Sequence, residues 1–149
     1  MSGGYNWPME SRLNVSTAGA WEEMYGYSRA VRTGSLVEVS GTTAVDEAGD
    51  VVGAGDMYAQ ARFVLRKIEK ALIEAGAELS DVVRTRAFLA DFSMFEDLAR
   101  AHREVFADIR PAATAVEARL VRPDLLVEIE ATAVVTGSRD EVERGEEMT

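Results

Sequence analysis

Polar and apolar positions alternate most regularly near the end of the chain. Val127, Ile129, Ala131, Ala133 and Val135 share one side of a two-residue repeat, and Glu128, Glu130 and Thr132 share the other. Successive strand side chains point to opposite faces, so the repeat predicts a half-buried strand. The whole stretch from Ile109 to Val135 reads as two strands joined by the short polar turn Val121-Arg122-Pro123-Asp124. The apolar side belongs to a core. The two carboxylates look the other way, and the pattern admits two fates for them: solvated, or one of them on the wall of a cleft.

The same reading places a strand near Tyr27 to Arg32, a turn at Thr33-Gly34-Ser35, and an antiparallel partner from Leu36 to Thr43, with Val37 and Val39 opposite Glu38 and Ser40. Asp56 is a helix N-cap. Ala61, Val64, Leu65, Ile68 and Leu72 then recur at helical spacing, and Gly76 supplies the stop. Arg62, Arg66, Lys67, Glu69 and Lys70 form its solvated face. From Val82 to Ala90 the alternation returns. Val83, Thr85, Ala87 and Leu89 lie on one face, and Val82, Arg84, Arg86 and Phe88 on the other, where the two arginines can pair with glutamates of neighbouring strands. Ser93 and Glu96 have capping-box spacing. Phe95, Leu98, Ala99, His102 and Phe106 form the following stripe, so His102 is expected to be packed and hydrogen-bonded, not catalytic. The order strand, strand, helix, strand, helix, strand, strand predicts a two-layer α+β domain, both helices covering one face of a mixed sheet. The other face would carry Glu38, Arg84, Arg86, Glu117, Arg119, Glu128 and Glu130, mixed with Val82 and Phe88. Residues 12–136 form the domain, residues 1–11 a flexible arm, and residues 137–149 a disordered acidic tail.

Composition narrows the function. The 149 residues carry a formal charge of −10, which repels polyanions and argues against a nucleic-acid partner. No apolar run approaches the ~20 residues of a membrane helix. There is no cysteine and one histidine, so disulfides, thiol catalysis and a His-rich metal site are excluded, and a cytoplasmic setting is expected.

Several short segments, taken in order, carry a resemblance. They are Gly26-Tyr27-Ser28-Arg29-Ala30-Val31, Val39-Ser40-Gly41-Thr42, Ala59-Gln60-Ala61, Ala75-Gly76-Ala77 followed by Asp81-Val82-Val83, Arg110-Pro111-Ala112-Ala113-Thr114 with Val116-Glu117, and Pro123 to Ala131. Together they resemble the reactive intermediate deaminase family (RidA/YjgF, also called L-PSP endoribonuclease-like), over about Arg12 to Val135. The resemblance implies a chorismate-mutase-like fold, with a six-stranded mixed sheet and two helices on one face. It implies a homotrimer with a small-molecule cleft at each subunit boundary, and no metal or organic cofactor. Active relatives hydrolyse 2-imino acids to 2-keto acids and ammonia.

Carried over by residue, the resemblance makes Glu128 the water-handling carboxylate, Tyr27 a pocket tyrosine, Ser40-Gly41 a turn whose backbone approaches the ligand, and Ala115 the donor of a backbone amide. Where the family has its carboxylate-binding arginine, this chain has Ala113. The implied protein belongs to a branch lacking that arginine. Two function classes follow. One is a cofactor-free imine or enamine hydrolase with a substrate other than simple 2-imino acids. The other is a non-catalytic trimer that binds a metabolite or protein. Simple 2-imino acid deamination and endoribonuclease activity rank below both, on Ala113 and on charge. Arg86, Arg110 and Arg119 are candidates to replace the missing arginine.

Overall fold

The computed structural model describes Pro8 and residues 11–137, and its centre is one mixed six-stranded sheet. The strands are β1 (Arg12–Val15), β2 (Ala30–Thr33), β3 (Leu36–Thr43), β4 (Val82–Leu89), β5 (Ala112–Glu117) and β6 (Val127–Val134). Their order across the sheet is β1-β2-β3-β6-β4-β5. All neighbours are antiparallel except β4 and β5, which run parallel. The helices are α1 (Ala20–Tyr25), α2 (Met57–Glu74) and α3 (Phe95–Phe106). Apart from Pro8, Ser11 and Gly137, the expected arm and acidic tail lie outside the described residues.

The long helix forms where its periodicity says. The Asp56 carboxylate accepts a hydrogen bond from the Ala59 amide, and Ala61, Val64, Leu65, Ile68 and Leu72 are buried against the sheet. Each large aliphatic side chain so buried contributes about 1.5–3 kcal/mol. At the far end Gly76 takes a φ of +78°, which ends the helix. Arg32 then reaches over from β2 and donates to the carbonyls of Ala75 (2.9 Å) and Gly76 (3.2 Å), placing a cation on the helix C-terminus. Gln60, on the buried face, is fully buried and fully used. It donates to the carbonyls of Gly53 and Asp124 and accepts from the Leu126 amide, fastening α2 to the segment that leads into β6.

The structure corrects the sequence reading at several points. β5 and β6 are not neighbours, because β4 lies between them and residues 118–126 cross over it. The burial patterns explain the exchange. β6 buries every second residue and suits the sheet centre, whereas β5 buries none completely and takes the edge. A register shift between Val82 and Arg84 turns Val82 into the core and leaves Val83 exposed, the reverse of simple alternation. Glu117 pairs in register with Leu89, on the helix side, and Arg119 falls in the crossing loop. The capping box at Ser93 does not form. A short 3-10 turn at Phe92–Met94 intervenes, capped by Asp91, and α3 starts after it with no side-chain cap. Phe95 is exposed and stacks on Phe92, while Leu98, Ala101 and Phe106 face the core. Lys67 is not a solvated surface residue, since its Nζ donates to the carbonyls of Thr43 and Val45, both at 2.9 Å. β1 and α1 had no counterpart in the pattern. Among the described residues, no helix is long and apolar enough to cross a membrane.

Candidate functional site

The site grows from a defect in β3. Val39 pairs with Ala131 and Thr42 with Ile129, so Ser40 and Gly41 together oppose the single residue Glu130. This is a β-bulge, which bends its strand and re-aims the neighbouring side chains. At Gly41 it opens a space that the Glu128 side chain enters from β6. A Cβ built on Gly41 would stand 2.8 Å from Glu128 Oε1 and 3.0 Å from its Cδ, so only glycine lets the carboxylate rest there. Ser40 locks the bulge from the other side. Its hydroxyl donates to the Ser28 carbonyl at 2.6 Å, and its amide donates to the Arg29 carbonyl at 3.0 Å.

Arg29, just before β2, lies on the same open face. Its Nη2 donates to the Gly41 carbonyl at 2.5 Å, and its guanidinium lies 5.7 Å from the Tyr27 ring centroid, a cation–π separation. Its Nε is buried without a partner among the described residues. Tyr27 in turn meets Tyr25 edge-to-face, with centroids 5.9 Å apart. Burial pushes the Glu128 carboxyl above its usual range; Arg29's charge opposes that and Glu130's charge adds to it, with a net upward result. Burial, and then the charge of Arg29, lowers Lys67. Of the nearby charges on the open face, Arg86 pairs with Glu130 at 3.4 Å, while Glu38 accepts from the Thr132 hydroxyl and Arg84 donates to the Thr114 hydroxyl.

Tyr27, Ser40, Gly41 and Glu128 therefore come together. Ala113 and Ala115 do not join them. Ala113 pairs with Thr85 and Ala115 with Ala87, and Thr85 is buried on the helix side, 2.8 Å from His102 Nε2. Both alanines thus sit on the opposite face of the sheet from Glu128. Ala113 is also level with Ala131, three positions along β6 from Glu128 and two strands away. That is roughly 10 Å along the strands and roughly 10 Å across them. One chain holds two separate parts of the expected site.

Two open grooves lie elsewhere. One, of about 660 Å³, follows the crossing loop and is lined by Glu117, Arg119 and Arg122 among others. The other, of about 340 Å³, lies where α3 meets β5 and includes His102, Arg110 and Pro111. Neither contains Glu128. His102 is half-buried and hydrogen-bonded, and burial lowers its pKa, so it packs as expected. Among the described residues, no group of three or more His, Asp or Glu is set to hold a metal ion. The residue that sequence reasoning missed is Arg29. The signal was present, because residues 27, 29 and 31 share a parity that puts Arg29 on the face of Tyr27.

Residues 17–135 match the family described as Endoribonuclease L-PSP. The chain is a member of the RidA/YjgF family. A RidA/YjgF relative, 3-aminoacrylate deaminase RutC of Acinetobacter baylyi, is 39% identical over 73% of this chain and 86% of its own length. A RutC family protein of Pyrococcus abyssi is 37% identical over 72% of this chain and 84% of its own. Among solved structures, Rv2704 of Mycobacterium tuberculosis, described as a member of the YjgF/YER057c/UK114 family, matches with 47% identity and a TM-score of 0.76, over 84% of this chain and all of that one. The mixed six-stranded sheet with its helices is the YjgF fold.

Proposed function

We propose that this RidA/YjgF protein is a cofactor-free hydrolase of small imines or enamines, working in a cleft between subunits of a homotrimer, with Glu128 handling the water. The observation that carries this reading is the Glu128 carboxylate itself, half-buried, seated on the bulge at Gly41 and raised in pKa. A rigid strand and a locked bulge suit accurate placement of a base. A carboxyl moved towards neutrality suits proton transfer near physiological pH. In the reaction Glu128 takes a proton from water as the water oxygen bonds to the C=N carbon. It delivers that proton to nitrogen, giving a carbinolamine, and then carries the carbinolamine hydroxyl proton to the same nitrogen as the C–N bond breaks; the products are a carbonyl compound and ammonia, an enamine having first tautomerised to its imine. The name of the RutC relative, a 3-aminoacrylate deaminase, supports this reaction class.

The register supports the subunit boundary as the place. Glu128 and the β5 alanines sit on opposite faces of one sheet, so a neighbour's β5 edge could supply the missing wall beside Glu128. β5 has an unpaired edge and an exposed apolar Val116 for that contact. Light scattering at micromolar concentration should give about three times the chain mass of 16.2 kDa. A stable species at the chain mass would refute the trimer.

A second reading, a non-catalytic binding trimer, is favoured by Ala113 standing where the family has its arginine. The two part on one experiment. Purified protein is assayed for ammonia release from 3-aminoacrylate and from imines generated by an amino-acid oxidase. Hydrolysis that Glu128→Gln abolishes supports the enzyme. No hydrolysis across the panel, with ligand retained in the cleft, supports the binder. The formal charge of −10 speaks against an endoribonuclease.

A further inference from the structure

The reading of Glu128 as the water-handling group leaves open what holds the substrate, and the cations of the open face answer it. Arg86 is engaged by Glu130 and Arg84 by Thr114. Arg32 is buried on the helix side, at the end of α2. Arg119 lines the crossing-loop groove, and Arg110 the groove at the α3–β5 junction. Arg29 differs from all of these. A guanidinium has five N–H donors in a fixed fork. Among the described residues, Arg29 spends one on the Gly41 carbonyl; its buried Nε has no partner, as is also true of Arg84, so what sets Arg29 apart is its place beside the residue on which Glu128 rests. The backbone around it is held, since its amide donates to the Val15 carbonyl and its own carbonyl accepts from Ser40.

We infer that Arg29 is the anion anchor of this cleft, binding a substrate carboxylate from the β2 side of Glu128, and that the substrate is therefore a small carboxylic acid bearing an imine or enamine. Arg29 and Glu128 flank the same residue: the guanidinium bonds the Gly41 carbonyl, and the carboxylate packs on the Gly41 α-carbon. They form no direct ion pair among the described residues, although the Arg29 charge acts on Glu128. In a 2-imino acid the reacting carbon is bonded to the carboxylate carbon, about 1.5 Å away. A carboxylate on Arg29 therefore directs that carbon towards Glu128. Charge favours it as well. Of the two carboxylates at this end of the open face, Glu130 is paired with Arg86, and Arg29 is the cation whose charge acts on Glu128. The anchor thus occupies a different strand from the one the family uses, which explains how Ala113 is tolerated. The Tyr27 ring, beside the guanidinium, limits the bulk that fits next to the carboxylate.

The test compares a carboxylate probe with its neutral isostere, 2-oxobutyrate against 2-oxobutyramide, by titration calorimetry on the full chain. The wild type should bind the acid at least tenfold more tightly than the amide. Arg29→Gln should erase that preference, and Arg29→Lys, which keeps the charge and loses the fork, should retain part of it. Circular dichroism and light scattering check that each variant folds and assembles as the wild type does. Should Arg29→Gln fail to fold, Arg29→Lys and the wild-type preference still decide. Equal binding of acid and amide by the wild type, or an undiminished preference in a folded Arg29→Gln or Arg29→Lys protein, overturns the anchor. Glu128→Gln separates this result from the hydrolase reading. If it leaves turnover intact while Arg29→Gln still loses the acid preference, the anchor stands and the role of Glu128 falls.

Discussion

Gly41→Ala is the sharpest perturbation of this site, because it replaces one hydrogen by a methyl group at a known place. Gly41 does not have a positive φ, so alanine can adopt its backbone conformation. Removing glycine's freedom from the unfolded chain then stabilises by about 0.4–1 kcal/mol. Against this, the new Cβ falls 2.8 Å from Glu128 Oε1 and 3.0 Å from Cδ, and carbon–oxygen contacts that close do not persist. The carboxylate must swing away by roughly half an ångström or more, and an off-rotamer side chain costs about 0.5–1.5 kcal/mol. These opposing terms nearly cancel, so the urea midpoint should stay close to wild type. Function should not. A misplacement of about 1 Å can cost ~100-fold in rate, so a shift of half that should cost about tenfold, or ~1.4 kcal/mol of barrier. The assay is kcat/KM on whichever imine or enamine the wild type hydrolyses, with unfolding measured in parallel. A carboxyl NMR titration reads the same event without a substrate, since a Glu128 pushed towards solvent should titrate nearer the ordinary glutamate range. Unchanged kcat/KM together with an unchanged Glu128 titration would refute the argument that Gly41 exists to seat the carboxylate.

The remaining predictions are simpler. Glu128→Gln should reduce turnover ~100-fold or more with the assembly unchanged; full turnover in a folded variant would move the reading to a binding protein. The same variant tests linkage. Because the folded-state pKa of Glu128 lies above its unfolded value, the folded chain binds that proton more tightly, and its ionisation costs stability as pH rises from the unfolded value through the folded one. Glu128→Gln should therefore be more stable than wild type at neutral pH, with the difference vanishing below the ordinary glutamate range in urea melts. Ala113→Arg should raise hydrolysis of 2-iminobutyrate generated by an amino-acid oxidase, and no gain would show that the wall opposite Glu128 is not built by β5. Gln60→Ala should cost about 3 kcal/mol or more in urea unfolding, because it strands the buried Leu126 amide and two carbonyls.

The sequence pattern located α2, α3 and the central strands because their burial is periodic. β6 alternates without interruption, and α2 carries its apolar stripe from Ala61 to Leu72. It failed where geometry departs from the period. The shift at Val82 inverts a parity that alternation cannot detect, and the 3-10 turn at Phe92 displaces a capping motif of good spacing. β1 has four residues and α1 six, too few to show a repeat. The strand neighbours of β5 and β6 depend on which strand can bear burial on both sides, a property of the assembled sheet. At the site, family resemblance selected Tyr27, Ser40, Gly41 and Glu128, and the structure gathers them. For Arg29 the parity with Tyr27 was legible, but its bond to the Gly41 carbonyl depends on the bulge in β3, which alternation does not show.

The placement of Ala113 and Glu128 on opposite faces has a genetic consequence. In the proposed ring, each chain gives its open face to one cleft and its β5 edge to the next, so a lesion travels with only one of the two. Co-expression of a chain altered at Glu128 with a chain altered along β5 would yield mixed rings, each with one cleft built from two sound halves. Two variants, each inactive alone, would then recover part of the activity together, whereas a single chain carrying both lesions would recover none.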